Sequence, residues 1–236
     1  MGTEDVELSQ KLKRVFYENG AGVVGVGDMH GVVNCEYPVG ISVAIPLPRH
    51  LIRDLQTAPT KEYREVYYTM NQKLNEIVLC GETFLKERGF EAYAQTTDRI
   101  VVNEYQMSRI PHKTVATRAG IGWIGKNNLL VTRKFGSAVR LSSLLTSAPL
   151  VCDVPVERSF CGTCNLCVRE CPAQALKGTL WEPGVSREQI VDIHACYIKQ
   201  KEIMYAHTGI DTDLCGKCFA VCAHTKKYLK SDLVEK

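Results

Sequence analysis

Hydrophobic positions in the N-terminal half recur with two periods, and each change of period marks a predicted element. Leu8, Leu12, Val15 and Phe16 share one helical face, and the helix stops at Gly20. AGVVGVGD then reads as a short buried strand, and YPVGISVAIPLP, β-branched and ending in prolines, as a central one. Thr60 is placed to cap a long helix reaching about Arg88, in which Tyr63, Val66, Tyr67, Met70, Leu74, Ile77, Val78 and Leu85 repeat at helical spacing before Gly89. EAYAQTT and RIVVNEY read as further strands, HKTVATRAG as a helix ending in a glycine cap at Gly120, and NNLLVT as the strand after it. The pattern predicts an α+β domain over residues 1–152, with no internal repeat or low-complexity linker.

Composition narrows this picture. The 236 residues, 45% apolar and 23% charged, suffice for one sizeable core and a smaller second module. The longest apolar runs fall short of a membrane span, and MGTEDVELSQ is too acidic for a secretory signal, so a cytoplasmic protein without a membrane partner is expected. The net charge of +3 discriminates little, but between Glu104 and Asp153 there is no acidic residue, while Arg109, Lys113, Arg118, Lys126, Arg133, Lys134 and Arg140 accompany His112. Such a run either forms a positive field for a phosphate, carboxylate or nucleic-acid backbone, or is a solvated basic face.

Within this run, RAGIGWIGKN contains G-x-G-x-x-G in Gly120, Gly122 and Gly125. A dinucleotide fingerprint requires a strand before the glycines, a helix after them and a later acidic residue. Here a helix precedes and a strand follows, so the dinucleotide reading is rejected. What remains is close backbone approach to a bulky, flat or anionic group beside Lys126, or a tight helix-to-strand turn with no ligand.

The most specific chemistry is at the C-terminus. Eight of the 11 cysteines fall in the last 76 residues at metal-ligand spacings. CGTCNLCVRECP is C-x2-C-x2-C-x3-C-P, the bacterial ferredoxin run for a [4Fe-4S] cube, whose fourth cysteine serves a second cluster. The remaining ligands come from Cys196 and from CGKCFAVC. The crossed pattern assigns Cys161, Cys164, Cys167 and Cys222 to one cluster and Cys171, Cys196, Cys215 and Cys218 to the other. A pair of structural zinc sites is the competing reading, although the run ending in Cys-Pro is not a zinc-knuckle spacing. Cys35, Cys80 and Cys152 are read as small buried hydrophobes.

PHKTVATRAGIGWIGKNNLLVTRKFGSAVRLSSLLTSAPL, followed by the ferredoxin run and CGKCFAVC, resembles the epoxyqueuosine reductase family, related to the cobalamin-dependent reductive dehalogenases. The resemblance covers about residues 105 to 223. It implies a nitroreductase-like cobalamin-binding domain (1–152), a ferredoxin-like two-cluster module (153–236), and electrons passing through the clusters to cobalamin. Arg118, Gly120, Gly122, Trp123, Gly125, Lys126 and Asn127 would then hold the corrinoid, without an axial protein histidine. The family's proton-donating aspartate corresponds to Gln106 here, so Tyr105, His112 or a substrate-bound water would have to serve; His112 has the alternative of capping the helix after Pro111. The chain ends at Lys236, fourteen residues after Cys222, and is expected to be a short form without the family's helical-repeat tail and its tRNA surface.

The resulting expectation is an iron-sulfur reductase of a small-molecule or nucleoside-like substrate, fed by a low-potential donor of ferredoxin or flavodoxin type. The alternative is an electron-transfer protein that reduces a partner, for example a corrinoid enzyme, and has no substrate site of its own. A nucleic-acid-binding protein with structural clusters is the third class; the basic run has few interleaved aromatics to support it.

Overall fold

The computed structural model of the chain describes residues 2–104 and 107–231. In chain order the elements are helix α1 (Thr3–Glu18), strands β1 (Val23–Asp28) and β2 (Val39–Pro46), helices α2 (Arg49–Asp54) and α3 (Lys61–Lys86), strand β3 (Ala92–Ala94), helix α4 (His112–Arg118), strands β4 (Gly122–Ile124), β5 (Leu130–Thr132) and β6 (Val139–Thr146), and helices α5 (Leu166–Arg169), α6 (Arg187–Ile190), α7 (Ile193–Thr208), α8 (Lys217–Ala220) and α9 (Ala223–Lys230). They form two compact units that interleave along the chain. One, the sheet unit, comprises Met1–Ile45, Thr69–Ile121 and Arg140–Val156; the other, the thiol unit, comprises Pro46–Tyr68, Gly122–Val139 and Glu157–Lys236. The cut expected near residue 152 is a single one, whereas these units exchange two further segments.

The sheet unit is built on four strands in the order β1-β2-β6-β3. β1 and β2 pair antiparallel from Val23 opposite Ala44 to Asp28 opposite Val39, and β3 pairs antiparallel with β6. Val39 to Ile45 of β2 are all buried, as the β-branched run implied. Leu12 and Phe16 of α1 and Leu74, Ile77, Val78 and Leu85 of α3 bury the helical faces that the spacing predicted. Thr60 caps α3 as expected, its Oγ1 accepting the Tyr63 N–H at 3.1 Å. β1 approaches α4 so closely that a Cβ on Gly25 would lie 2.1 Å from the Ala119 carbonyl oxygen. Asp153 ties the unit's last segment to β1 by accepting the Val26 N–H at 2.8 Å and the Lys13 ammonium at 2.8 Å.

Two strand expectations change. RIVVNEY forms no strand among its described residues, only a bridge from Val102 to Ser108, with Val101 81% and Val102 56% exposed. The Asn103 side chain accepts the Met107 N–H at 3.0 Å. Conversely, β6 lies between β2 and β3 although VRLSSLLT shows no clean apolar run. Its buried hydroxyls are satisfied across the sheet, Ser142 donating to the Gln95 carbonyl at 3.1 Å and Thr146 to the Glu91 carbonyl at 2.6 Å.

In the thiol unit, β4 and β5 form a hairpin with Trp123 opposite Val131, turned through Asn128 at φ 59°. The rest is helical and short: α5, α6 and α8 have four residues each. α7 is the long helix here, capped by Asp192, which accepts the Ala195 N–H at 3.0 Å, and ended by Gly209 at φ 73°. Among the described residues no helix is long and apolar enough to cross a membrane.

Candidate functional site

The eight cysteines at ferredoxin-like spacing lie on the helices of the thiol unit and in the turns beside them. Cys161 and Cys164 flank a turn closed by the Cys164 N–H on the Cys161 carbonyl at 3.1 Å. α5 carries Cys167, and Cys171 follows it; α8 carries Cys218, and Cys215 precedes its start at Gly216. α5 and α8 pack on each other, while Cys196 occupies the first turn of α7 and Cys222 caps α9. All eight are free thiols.

Burial and neighbouring thiols raise the pKa of several of them, in both of the sets expected from the spacing. Burial, then the neighbouring Cys222, Cys161 and Cys164, push the Cys167 thiol up to about 12. Burial, then Cys171 and Cys215, push Cys196 up to about 11. Burial again leads for Cys218, which is raised well above the ordinary thiol range with help from Cys215, Cys196, Cys167 and Cys171. Cys161, Cys164, Cys167 and Cys222 also line one cleft together. Thiols held this strongly protonated become thiolates only when a cation replaces the proton. Each set has the number and kind of donors that a four-iron cube takes. Among the described residues no three Cys, His, Asp or Glu side chains close around a single ion.

The glycine loop is used within the protein. A Cβ on Gly120, which sits at φ 68°, would lie 2.4 Å from the Val154 carbonyl oxygen; one on Gly122 would lie 2.3 Å from that of Val131, and one on Gly125 would lie 2.7 Å from Asn127 Oδ1. The Asn127 amide donates to Ser137 Oγ at 3.0 Å, and its oxygen accepts the Leu129 N–H at 3.2 Å. Trp123 is 2% exposed, edge-on to Phe160 and His224. Lys126, 5% exposed, lines the cleft of the first thiol set and donates to Asn165 Oδ1 at 2.8 Å. Of the seven residues that the resemblance assigns to a corrinoid, Arg118 and Gly120 are half-buried, and Arg118 makes a long 3.5 Å contact to the His30 carbonyl. Within the thiol unit, the buried Gly122, Trp123, Gly125, Lys126 and Asn127 do not fit as an open cradle for that group. In the basic run, Arg109 pairs with Glu36, Arg140 holds Asn71 Oδ1, and Arg133 lies over the Phe160 ring.

The sheet unit holds a cavity of about 410 Å³. Tyr37 and Tyr93 supply flat walls, Ile110 and Leu145 apolar ones, and Gln95, Arg99 and Arg109 polar groups. Arg99 donates to both oxygens of Glu82 at 3.0 Å. Burial opposes ionisation of Glu82, yet hydrogen bonds from Arg99, Lys86 and the Ala94 N–H hold its carboxyl below the usual range. Gln95 donates to Ser143 Oγ, which in turn meets His112 Nδ1 at 2.7 Å. Burial, with the Arg140 guanidinium beside it, lowers the His112 pKa to about 4. His112 is thus neutral near pH 7, a ring fixed within the fold at the start of α4. Tyr105 and Gln106 lie outside the described residues. Two groups escaped the sequence reading: Cys35 borders the cavity, and Cys152 is exposed, not a buried hydrophobe.

The fold is a mixed α/β one with small sheets, shared with the reductive dehalogenases. A reductive dehalogenase described for B12-dependent dehalogenation superposes with a TM-score of 0.72 at 16% identity, over 97% of this chain and 34% of that one. An epoxyqueuosine reductase in complex with an epoxyqueuosine-modified tRNA stem loop superposes with a TM-score of 0.61 at 19% identity, over 93% and 66%. In sequence the chain is similar to epoxyqueuosine reductases. That of Listeria monocytogenes is 39% identical over 112 residues, 48% of this chain and 27% of that protein. That of Lactococcus garvieae is 47% identical over 114 residues, 48% and 29%. The match thus spans under a third of these curated relatives' length. No family model matches the chain.

Proposed function

We propose that the chain is an iron-sulfur reductase that carries electrons through two [4Fe-4S] clusters towards a small or nucleoside-like substrate. The observation that supports this reading is the gathering of eight thiols at ferredoxin-like spacing in one unit, four of them lining one cleft, in a chain similar to epoxyqueuosine reductases over about half of its length. Bound clusters would supply low-potential one-electron chemistry. Cys161, Cys164, Cys167 and Cys222 would hold one, and Cys171, Cys196, Cys215 and Cys218 the other, in a ferredoxin-like module over residues 153–236. The electron donor is then a low-potential protein of ferredoxin or flavodoxin type.

On the substrate side, the cavity walls of Tyr37 and Tyr93 suit a flat ring, with the Gln95 amide to orient it. A nucleoside, free or within tRNA, is the substrate class that the stem-loop-bound relative brings to this chain. His112, neutral at working pH, positions Ser143 and Gln95 and is no proton donor. Tyr105 and Gln106 are the other candidates next to the transferred proton, and of these only the Tyr105 phenol carries an acidic hydrogen. Cobalamin belongs to the reading through the resemblance and through the B12-dependent dehalogenase. Because the residues assigned to it are engaged inside the protein, no step is derived through it.

That engagement favours a second reading, an electron-transfer protein that reduces a partner and has no substrate site of its own, whereas the cavity favours the enzyme. Anaerobic reconstitution should give about eight irons per chain; zinc, or fewer than about seven irons, would overturn both readings. Titrating the reconstituted protein with cob(II)alamin then separates them. A spectral change with stoichiometric binding supports the reductase, and no binding supports the carrier.

A further inference from the structure

We infer that Lys126 is a positioning residue that places a fixed positive charge beside the cluster held by Cys161, Cys164, Cys167 and Cys222, and so makes that cluster the easier of the two to reduce. The inference rests on the cluster reading above and extends it to an ordering of the two centres.

Lys126 is buried, and it lines the same cleft as the four thiols. A buried ammonium is costly unless an opposite charge compensates it. Its hydrogen-bond partner is the neutral amide of Asn165, within the turn that bears Cys164 and Cys167. A cluster with its four thiolates supplies the missing negative charge. Trp123 closes the neighbourhood: it packs between Phe160, which precedes Cys161, and His224, which follows Cys222 by two positions. Its indole nitrogen is buried with no protein partner, an unmet donor beside the same four thiols. Shielding from water by this ring strengthens the field of the ammonium.

The second set has mixed surroundings, with Lys217 acting on Cys215 and carboxylates nearby. Asp192 caps α7 four residues before Cys196, and Asp213 stands two residues before Cys215. Lys217, which follows Cys215 by two positions, donates to the Gln56 carbonyl and lies 3.9 Å from Glu170, whose carboxylate offsets its charge. One-electron reduction takes an oxidised cube with its thiolates from a dianion to a trianion, with no bond made or broken and no proton moved. The electron comes from a one-electron donor, dithionite in the test below. An adjacent fixed cation favours the trianion, and adjacent carboxylates disfavour it. Electrons therefore run from the second set to the first.

The test is a redox titration of the anaerobically reconstituted chain, followed by electron paramagnetic resonance, for the wild type and for Lys126→Met, Lys126→Arg and Asn165→Ala. In Lys126→Met the higher midpoint potential should fall by at least about tenfold in the reduction equilibrium, about 59 mV for one electron, while the lower one stays. Lys126→Arg should keep both. An unchanged pair of potentials in Lys126→Met at full iron content would overturn the inference, as would equal shifts in the Met and Arg variants. If Lys126→Met does not retain iron, Asn165→Ala decides, since it removes the hydrogen bond and leaves the charge: a potential that does not fall supports the inference, and one that falls refutes it. Absence of clusters in the wild type would refute the cluster reading itself, an outcome distinct from any of these.

Discussion

The sheet unit and the segment of the thiol unit from residue 157 onward order the chain by different means. β1, β2, β6 and β3, with α1 and α3 upon them, bury Phe16, Val26, Ile41, Val43, Ile77 and Leu144 completely. Packing of that kind needs no ligand. In the thiol unit, α5, α6 and α8 are each a single turn, far below the length at which a helix sustains itself in water. The small apolar cluster there, Ala175, Leu176 and Val191, includes Cys171 and has Cys167, Cys196 and Cys218 packed against it. Where thiols occupy the places of core side chains, the energy of metal binding becomes folding energy. On the proposed reading, the contrast is between a self-sufficient framework and a segment whose order depends on bound clusters.

The largest expected effect tests that contrast directly. Stripping iron with an anaerobic chelator should release amide protection across residues 157–231 by orders of magnitude while β1 and β2 remain protected in hydrogen exchange; equal loss in both units would break the comparison. Cys171→Ser should remove about four of eight irons and leave the signal of the other cluster, whereas loss of all iron would mean that the two sets are not separable.

Within the sheet unit, Gly25→Ala should cost about 3 kcal/mol or more, because its new methyl would meet the Ala119 carbonyl oxygen at 2.1 Å. Thermal unfolding should register this at unchanged iron content. A smaller effect comes from His112. Its folded pKa of about 4 lies below the ordinary 6.5, so the unfolded chain takes up the proton first as pH falls. Stability is then present above about pH 6.5 and is lost on descending towards pH 4, by about 2 kcal/mol between pH 7 and pH 5. His112→Gln should flatten this dependence in urea unfolding. Smallest of all, Lys11→Ala, which removes the exposed pair of Lys11 with Glu7, should leave the melting temperature within error.

Much of the framework was legible because its signals are local. Thr60 and the apolar spacing through Leu85 located α3, and the β-branched run located β2. β6 was not legible: Ser142, Ser143 and Thr146 read as polar, and what makes them core residues is the partners they find across the sheet. RIVVNEY failed in the opposite direction, since strand composition has no effect without a neighbour to cover Val101 and Val102.

By itself the sequence determined the C-x2-C-x2-C-x3-C run and CGKCFAVC, because spacing within a few residues is a property of the local chain; the sharing of the eight thiols between two sets is an expectation drawn from that pattern. Only the tertiary structure decided the use of the glycines and of Lys126. Gly120 is small because the Val154 carbonyl lies against it, and Lys126 turns from a basic run into the cleft of Cys161 and Cys222. Those neighbours are distant along the chain, and no local pattern contains them.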